Sequence, residues 1–348
     1  MHFQLQNAEE FDFNPAEYPI NTAAKSERKM QALQVTQLGQ SPCMNTLEIP
    51  QPATGQVRLK ILACGLNFAD LLMIKGTYQD TPTVPFTLGL ELVGIVEALG
   101  PETSGPAIGT RVAVYSGQGG LAQYGCFDAT RCLPLPDGVP TIEAAGFQIA
   151  YGTSHVALDY KARLQSGETL LVLGAAGGVG ITAVELGKLL GAKVIAAARG
   201  QKRLDIAAAA GADHLIDPET TDLREAVKAL GGADVVYDPV GGDQFAAAFR
   251  ACNPDGRMIV IGFASGTVPP IAANHMMVKN ITVQGVNWGG YMRFKPQVLT
   301  ESLRTLIDWY QAGRLKPHIS HIVPFEQALE GLDLLRTRKS TGKVVITL

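Results

Sequence analysis

The sequence predicts an α/β protein with two domains, a mostly-β domain and a doubly wound parallel sheet. Residues 30–150 alternate short apolar runs with glycine and proline, which is typical of strands and turns. Residues 151–287 alternate continuous apolar runs with helical stretches that end in glycine, the pattern of a parallel sheet covered on both faces. Residues 288–348 hold two helices and a last strand, and we expect them to complete the first domain.

Composition excludes several classes of protein. The chain is 46% hydrophobic and 18% charged, which is ordinary for a soluble globular protein. Its net charge of -3 gives no electrostatic reason for a nucleic-acid or membrane partner. The most apolar run, residues 170–184, is too short and too rich in glycine to span a bilayer. Five cysteines form no C-x-x-C pair, so we expect reduced thiols and a cytoplasmic location.

The first 29 residues differ from the rest and are expected to be an N-terminal extension. They contain no apolar core and hold Glu9, Glu10, Asp12 and Glu17, which argues against a secretory signal and an arginine-rich transit peptide. Three interpretations stay open: a disordered extension, an arm packed on the body, or a remnant of an upstream start.

A glycine turn follows the first strand of the second domain, in the stretch LLVLGAAGGVG, residues 170–180. Ala175 replaces the first glycine of the G-x-G-x-x-G dinucleotide motif. Gly177 is expected to face a pyrophosphate and Gly180 to allow close packing of helix on strand. The helix that begins near Gly178 adds the partial positive charge of its N-terminus. The turn therefore predicts a dinucleotide site, with these candidate binding residues: Ala176, Gly177, Gly178, Val179 and Gly180.

The end of the second strand indicates which dinucleotide binds. An NAD site places a carboxylate there, but the stretch AAARGQKR offers no acid before Asp205. It offers Arg199, Lys202 and Arg203 instead, and an arginine fork holds a 2′-phosphate well. The alternative, a solvated basic helix start, is disfavoured because cations are unfavourable at a helix N-terminus. The sequence therefore favours NADP(H).

Several segments together resemble one known family: CGLNFADLLMIKGTY, FTLGLELVGIVEALG, LVLGAAGGVGITAVELGKLLGAKVIAAA and RKSTGKVVITL. Over residues 31–348 the chain is similar to the zinc-independent branch of the medium-chain dehydrogenases/reductases, and specifically to NADPH:quinone oxidoreductases. The resemblance implies a Rossmann domain over 151–287 and a GroES-like catalytic domain built from 30–150 and 288–348. It also implies NADPH as cofactor, a quinone or other conjugated carbonyl as substrate, and a homodimer, with a dimer doubled to a tetramer as the alternative.

Zinc relatives in the same superfamily bind a catalytic metal through a cysteine, the histidine of a G-H-E motif, and a later cysteine. Here Asn67 stands in the first position, and Leu90 replaces the histidine between Gly89 and Glu91. A zinc site needs its whole ligand set, so we expect no metal. His318 and His321 fall in an extended stretch and are expected to be ordinary histidines.

The resemblance implies three candidate catalytic residues on the loop and short helix near residue 70. Asn67 either bonds a substrate carbonyl or water, or caps the helix. Tyr78 either donates to a quinone oxygen or forms an amphipathic wall. Asp70 is expected to order the loop more than to do chemistry.

Other residues are implied to line the cofactor. Thr153 is expected near the nicotinamide, with a helix cap as the alternative. Further candidates follow the strands that flank the switch point of the sheet: Val240, Gly262 and Phe263. Arg338 matches a basic position that reaches the 2′-phosphate, while Pro218 stands where relatives often have a tyrosine.

These observations predict a zinc-free NADPH-dependent reductase that transfers hydride to a quinone or conjugated carbonyl. An enoyl or alkenal double-bond reductase is the alternative within the same chemistry. The alternative of another class is an NADPH-binding or sensing protein with little turnover.

Overall fold

The structure is a computed structural model that describes residues 29–348. The extension expected over residues 1–29 therefore lies, apart from Lys29, outside the described residues. The described strands are β1 Lys29–Val35, β2 Cys43–Glu48, β3 Gln56–Gly65, β4 Phe86–Thr87, β5 Glu91–Leu99, β6 Arg111–Tyr115, β7 Tyr124–Asp128, β8 Cys132–Pro134, β9 Thr169–Leu173, β10 Lys193–Ala197, β11 His214–Ile216, β12 Ala233–Asp238, β13 Cys252–Val260, β14 Thr282–Gly285, β15 Ile319–Pro324 and β16 Lys343–Thr347. The described α-helices are α1 Phe68–Lys75, α2 Thr141–Ala145, α3 Gln148–His155, α4 Gly178–Leu189, α5 Gln201–Ala209, α6 Leu223–Ala229, α7 Gly242–Ala251, α8 Ala273–Lys279, α9 Tyr291–Phe294, α10 Pro296–Gln311 and α11 Ala328–Arg336.

The central domain is built on a six-stranded parallel sheet in the order β11-β10-β9-β12-β13-β14. Successive residues of β9 enter different cores: Leu170 and Val172 belong to one apolar cluster, Leu171 and Leu173 to the other. Because side chains alternate across a strand, both faces of the sheet are buried. The predicted doubly wound sheet is confirmed.

The rest of the described chain forms mainly antiparallel sheets, as the sequence predicts for a mostly-β domain. A seven-stranded sheet runs β15-β16-β3-β5-β6-β8, with β7 paired to β3, and a smaller sheet runs β2-β1-β4. The two last strands, β15 and β16, thus share a sheet with β3 and β5 from the other end of the sequence. The expected boundary between residues 150 and 151 falls inside α3.

The order of the parallel strands determines where a ligand binds. From β9 the chain adds β10 and β11 on one side of the sheet and then β12, β13 and β14 on the other, so the strand order reverses between the hydrogen-bonded neighbours β9 and β12. Ligands of such sheets bind beyond the carboxyl ends of the strands at this switch point. The glycine turn follows β9 directly. Among residues 29–348, no helix combines the length and apolar character needed to cross a bilayer.

Candidate active site

The glycine turn joins β9 to α4 through residues 174–177. The left-handed residue is Gly174, with φ 58°, and not Ala175, which explains why alanine fits in the first position of the motif. A Cβ on Gly180 would lie 2.1 Å from the carbonyl oxygen of Gly174, so only glycine allows the helix this close to the turn. Gly177 is exposed and lies at the N-cap of α4, where helix N–H groups favour an anion.

Two loops form a second wall beside this turn. Asp238 ends β12, and its Oδ1 accepts the backbone N–H groups of Val240 at 2.7 Å and Gly241 at 2.9 Å. The N–H of Ala264 donates to Pro239 and that of Ser265 donates to Val240, so residues 239–241 run beside residues 262–265. This pairing brings together the candidates Val240, Gly262 and Phe263, the last of them exposed. Among the described residues, the buried Oδ2 of Asp238 has no hydrogen-bond partner.

Three arginines meet beyond the end of β10: Arg199 and Arg203 from around the start of α5, and Arg338 from the segment after α11. The guanidinium of Arg203 donates to the carbonyl oxygen of Arg199 at 3.4 Å and to that of Arg338 at 2.5 Å. Arg338 in turn donates to the carbonyl oxygen of Ala264 at 2.8 Å. Arg199 also forms an exposed ion pair with Glu219 at 3.4 Å, a carboxylate that the sequence did not indicate. The result is a basic cluster next to the second wall.

The loop before α1 is held by an internal network. The side-chain N–H groups of Asn67 donate to Gly65 and Glu91, each at 3.1 Å, so both are used within the protein. Asp70 is completely buried, and its carboxylate accepts the backbone N–H groups of Asn67 at 2.8 Å and Gly89 at 3.1 Å. Burial raises the pKa of Asp70 to about 7. The two hydrogen bonds from Asn67 and Gly89 lower this pKa, but burial is the larger effect.

These contacts bear on the roles expected from the sequence. Asp70, expected to order the loop more than to do chemistry, is completely buried, and its carboxylate accepts the backbone N–H groups of Asn67 and Gly89. Asn67 has no side-chain N–H left for a substrate carbonyl in this arrangement, because both donors already have acceptors.

Tyr78 lies just beyond α1 and is half-buried. Burial, followed by the nearby Asp80 and Asp70 carboxylates, raises its pKa, so the hydroxyl keeps its proton at neutral pH. Asp80 accepts a hydrogen bond from Arg293 of α9 at 2.7 Å, which joins this loop to the segment after β14.

Sequence reasoning missed an aromatic contact near the Tyr78 loop. Tyr115, the last residue of β6, packs edge-on against Trp288 with ring centroids 4.9 Å apart. A Cβ on Gly289 would lie 2.1 Å from the Tyr115 hydroxyl oxygen, so the ring fits only because residue 289 is glycine. In the sequence, Tyr115 is simply the end of an apolar strand, and nothing there indicates this partner.

Thr153 lies in α3 and is buried, with 6% of its surface exposed. The neighbouring residue, Ser154, is tied to the nucleotide-binding domain. Its hydroxyl donates to the carbonyl oxygen of Val179 at 2.9 Å and lies 2.8 Å from Thr182 and 3.0 Å from Tyr237. These bonds fix α3, and with it Thr153, against the start of α4.

A buried ion pair is another feature that sequence reasoning missed. The ammonium of Lys343 lies 2.7 Å from Glu91, with side-chain exposures of 7% and 1%. Both residues begin apolar strands, β16 and β5, and a charge at the head of such a strand was the available signal. Sequence spacing gave no reason to join them, since 252 residues separate the two.

Possible metal ligands are scattered. Within residues 29–348, no group of three or more histidine, cysteine, aspartate or glutamate side chains lies together. His318 bonds Thr341 at 3.1 Å, and His321, inside β15, bonds Ser320 at 2.9 Å. All five cysteines are free thiols.

Comparison with known proteins agrees with this architecture. Residues 53–137 match the family model of the alcohol dehydrogenase GroES-like domain, and residues 178–308 match that of the zinc-binding dehydrogenases. The bovine quinone oxidoreductase-like protein 2 is 37% identical over 297 residues, which cover 84% of this chain and 85% of the relative.

Two solved structures are similar over nearly the whole fold. The quinone oxidoreductase of Thermus thermophilus, solved alone and with NADPH, gives a TM-score of 0.81 at 33% identity, covering 91% of this chain and all of that one. The Escherichia coli quinone oxidoreductase complexed with NADPH gives 0.85 at 26% identity, with the same coverage. The chain therefore belongs to the quinone oxidoreductase family of the medium-chain dehydrogenases/reductases.

Proposed function

We propose that this protein is an NADPH-dependent reductase that transfers hydride to a quinone or another conjugated carbonyl compound. The observation that carries the proposal is the exposed, glycine-lined N-terminus of α4 at the switch point, with three arginines beyond the end of the neighbouring strand β10. Bound NADPH supplies the hydride from its nicotinamide ring. The chain supplies binding, orientation and hydrogen-bond donors.

The residues of the glycine turn fit a pyrophosphate. A Cβ on Gly177 would lie 3.3 Å from the carbonyl oxygen of Gly174, and one on Gly178 would lie 3.3 Å from that of Gly342, so the turn is tight at both positions. Gly177 is exposed at the N-terminus of α4, where helix N–H groups favour an anion. In the proposed complex, the backbone around Ala176 to Gly180 approaches the phosphates. Val240, Gly262 and Phe263 would hold the nicotinamide ribose, and Thr153 would face the nicotinamide.

The arginine cluster supports NADPH over NADH. Arg199 and Arg203, around the start of α5, converge with Arg338 through hydrogen bonds to backbone carbonyls, which leaves guanidinium N–H groups for an anion. A 2′-phosphate is the part of NADPH that NADH lacks, and arginine forks bind phosphate through charge-assisted bonds. Pro218 offers no aromatic ring over this site, so the arginines carry the discrimination.

On the substrate side, Tyr78 is the proposed donor to the acceptor oxygen. As hydride reaches a conjugated carbonyl, negative charge develops on oxygen, and a neutral hydroxyl stabilises it. The raised pKa of Tyr78 keeps that hydroxyl protonated. Asn67 and Asp70 hold the loop that precedes it, and Tyr115 with Trp288 forms an aromatic wall suited to a flat substrate.

We also propose a homodimer. In the described sheet, β14 has a neighbour on one side only, and an uncovered edge promotes pairing with another chain. Met277 and Val278, at the end of α8 that leads to this edge, are 73% and 75% exposed. Light scattering at micromolar concentration should give twice the chain mass, and Met277→Glu with Val278→Glu should give the chain mass; a monomeric wild-type chain would refute this.

The test of the reductase proposal is steady-state NADPH oxidation with a panel of quinones and enals. Turnover should require a conjugated acceptor, and Tyr78→Phe should lower kcat about 10²-fold, the usual loss for one oxyanion donor. Tyr124→Phe, on β7, is the control and should keep wild-type turnover. Faster turnover with enals than with quinones would favour a double-bond reductase.

A second candidate, an NADPH-binding protein with little turnover, is favoured by the internal use of both side-chain N–H groups of Asn67. The same panel separates the two. Tight NADPH binding without oxidation by any acceptor would support the binding protein and overturn the reductase.

A further inference from the structure

The ammonium group of Lys343 lies at the junction of the two domains. It donates to the carbonyl oxygen of Leu66 at 2.7 Å, to Oδ1 of Asn67 at 2.8 Å and to Oε1 of Glu91 at 2.7 Å. An ammonium has three hydrogens, so all of its donors are used. Lys343 is therefore unavailable to a ligand and instead fixes the loop on which α1 begins.

Glu91 extends the network to the helix that carries Thr153. Its Oε1 also accepts from the side chain of Asn67 at 3.1 Å, while Oε2 accepts the backbone N–H of Ile149 at 3.0 Å. Ile149 lies in the first turn of α3. One carboxylate thus joins the substrate-side loop to the helix expected beside the nicotinamide.

The backbone next to Lys343 reaches the glycine turn. The N–H of Gly342 donates to the carbonyl oxygen of Ala176 at 2.9 Å, and Gly342 forms a β-bridge with Gly177. A Cβ on Gly178 would lie 3.5 Å from Cδ of Lys343. The lysine therefore connects the turn that would hold the pyrophosphate with the loop that would hold the acceptor.

Stability alone gives a weak reason for this pair. Desolvation of two buried charges offsets much of their attraction, and replacing both by apolar residues is often neutral or stabilising. An apolar pair would fill the space but would fix neither the Leu66 carbonyl, nor the Asn67 amide, nor the Ile149 N–H. The charged pair adds directional hydrogen bonds that fix the relative positions of these groups. Hydride transfer depends on such positions, since a displacement of about 1 Å can cost about 10²-fold in rate.

We propose that Lys343 and Glu91 are positioning residues that set the separation between the substrate-side loop and the nucleotide turn. The proposal rests on the proposed reductase function for its kinetic readout. In this proposal Lys343 and Glu91 touch neither cofactor nor substrate, and they act on the reaction through Asn67, Leu66 and α3.

The test compares Lys343→Met/Glu91→Leu with a matched control, Arg257→Met/Glu168→Met. The control pair, Arg257 and Glu168 at 2.5 Å, is partly buried with side-chain exposures of 23% each, and lies at the amino ends of the parallel strands, away from the site. Unfolding midpoints in urea, NADPH Kd by fluorescence titration, and kcat are measured for each. We expect the Lys343/Glu91 variant to stay folded and bind NADPH, with kcat about 10²-fold lower, and the control to keep wild-type kcat.

Wild-type kcat in the folded Lys343/Glu91 variant would overturn the proposal, because packing alone would then suffice. If that variant does not fold, Lys343→Arg is used. It keeps the charge but not the three-way ammonium geometry, and it should lower kcat with little change in NADPH Kd; unchanged kcat would again overturn the proposal.

A readout without turnover separates this proposal from the reductase proposal. Hydrogen exchange should accelerate in the Lys343/Glu91 variant, and not in the control, at two backbone amides: that of Ile149, whose acceptor is Glu91, and that of Asn67, which donates to Asp70 on the loop held by Lys343. Should the wild-type protein oxidise no NADPH, the reductase proposal fails while exchange still tests the pair. Unchanged protection of both amides would overturn it.

Discussion

Replacing Arg199 and Arg203 by alanine should weaken NADPH binding and leave NADH binding almost unchanged. Two of the five guanidinium N–H groups of Arg203 bond carbonyl oxygens, so three remain for a phosphate. Arg199 is paired with Glu219, with side-chain exposures of 39% and 60%. Exposed pairs of this kind contribute little, so a 2′-phosphate can replace the carboxylate.

The size of the effect follows from these contacts. Hydrogen bonds to charged groups contribute about 1.5–3 kcal/mol each. Because the site is open to solvent, the low end applies, and two arginines give about 3 kcal/mol, or about 10²-fold in Kd. NADH lacks the phosphate that the arginines would bind. Arg338→Ala should cause a smaller loss of the same kind.

Fluorescence titration with both cofactors measures the effect. Arg131→Ala/Arg304→Ala is the control, since it removes two exposed arginines from other surfaces. Urea unfolding is recorded in parallel, because Arg203 also bonds two backbone carbonyls. Equal weakening of both cofactors would show that the arginines support the fold and not the phosphate. No weakening of either would show that the phosphate is held elsewhere or that NADH is the natural cofactor.

Three further predictions concern the turn, the loop and the metal. Gly177→Ala should keep the fold, because its Cβ needs only small shifts of neighbouring atoms, but it should weaken NADPH binding in titration, because that Cβ faces the proposed phosphate site. Gly180→Ala, whose Cβ would lie 2.1 Å from a backbone oxygen, should lower the free energy of unfolding by about 1–3 kcal/mol. The pKa of Asp70 is about 7 in the folded chain, above the ordinary value for aspartate, so the fold favours the protonated carboxyl group. The contribution of Asp70 to the free energy of unfolding is therefore present at low pH and is lost as the pH rises from about 4 to 7. Across that pH window, the free energy of unfolding measured in urea should fall by up to about 4 kcal/mol more in the wild-type chain than in Asp70→Asn. If the two chains show the same dependence of unfolding free energy on pH, this prediction is contradicted. Elemental analysis should find far less than one zinc per chain, with turnover unchanged by chelators, because Asn67 and Leu90 stand at two ligand positions; a value near one would refute it.

Much of the fold was predictable because its signals are local. Strands buried on both faces give continuous apolar runs, and β9 to β13 all fall where such runs occur. The glycine turn was predictable for the same reason, since strand, turn and helix are consecutive. The left-handed residue was less obvious: the motif drew attention to Ala175, but the turn depends on Gly174.

The substrate side was harder to predict because its contacts are long-range. The amide of Asn67 looked free for a substrate until β16 brought Lys343 and β5 brought Glu91 to it. Only the order β16-β3-β5 places these residues together. Glu219 likewise reaches Arg199 only because β11 lies beside β10.

The place of β16 in the first sheet has a consequence for synthesis of the protein. The nucleotide-binding sheet is made of neighbouring segments and can fold as soon as they leave the ribosome. Lys343 is synthesised 252 residues after Glu91, which takes roughly 13–50 s at about 5–20 residues per second. The ion pair between the two cannot form before then. A nascent chain in which β9 to β14 have paired before β16 is made would leave residues 63–65 of β3 unpaired on the side that β16 covers, an open edge that invites mispairing. Premature termination before residue 343 would leave this state permanent, so such fragments should depend on chaperones or be degraded.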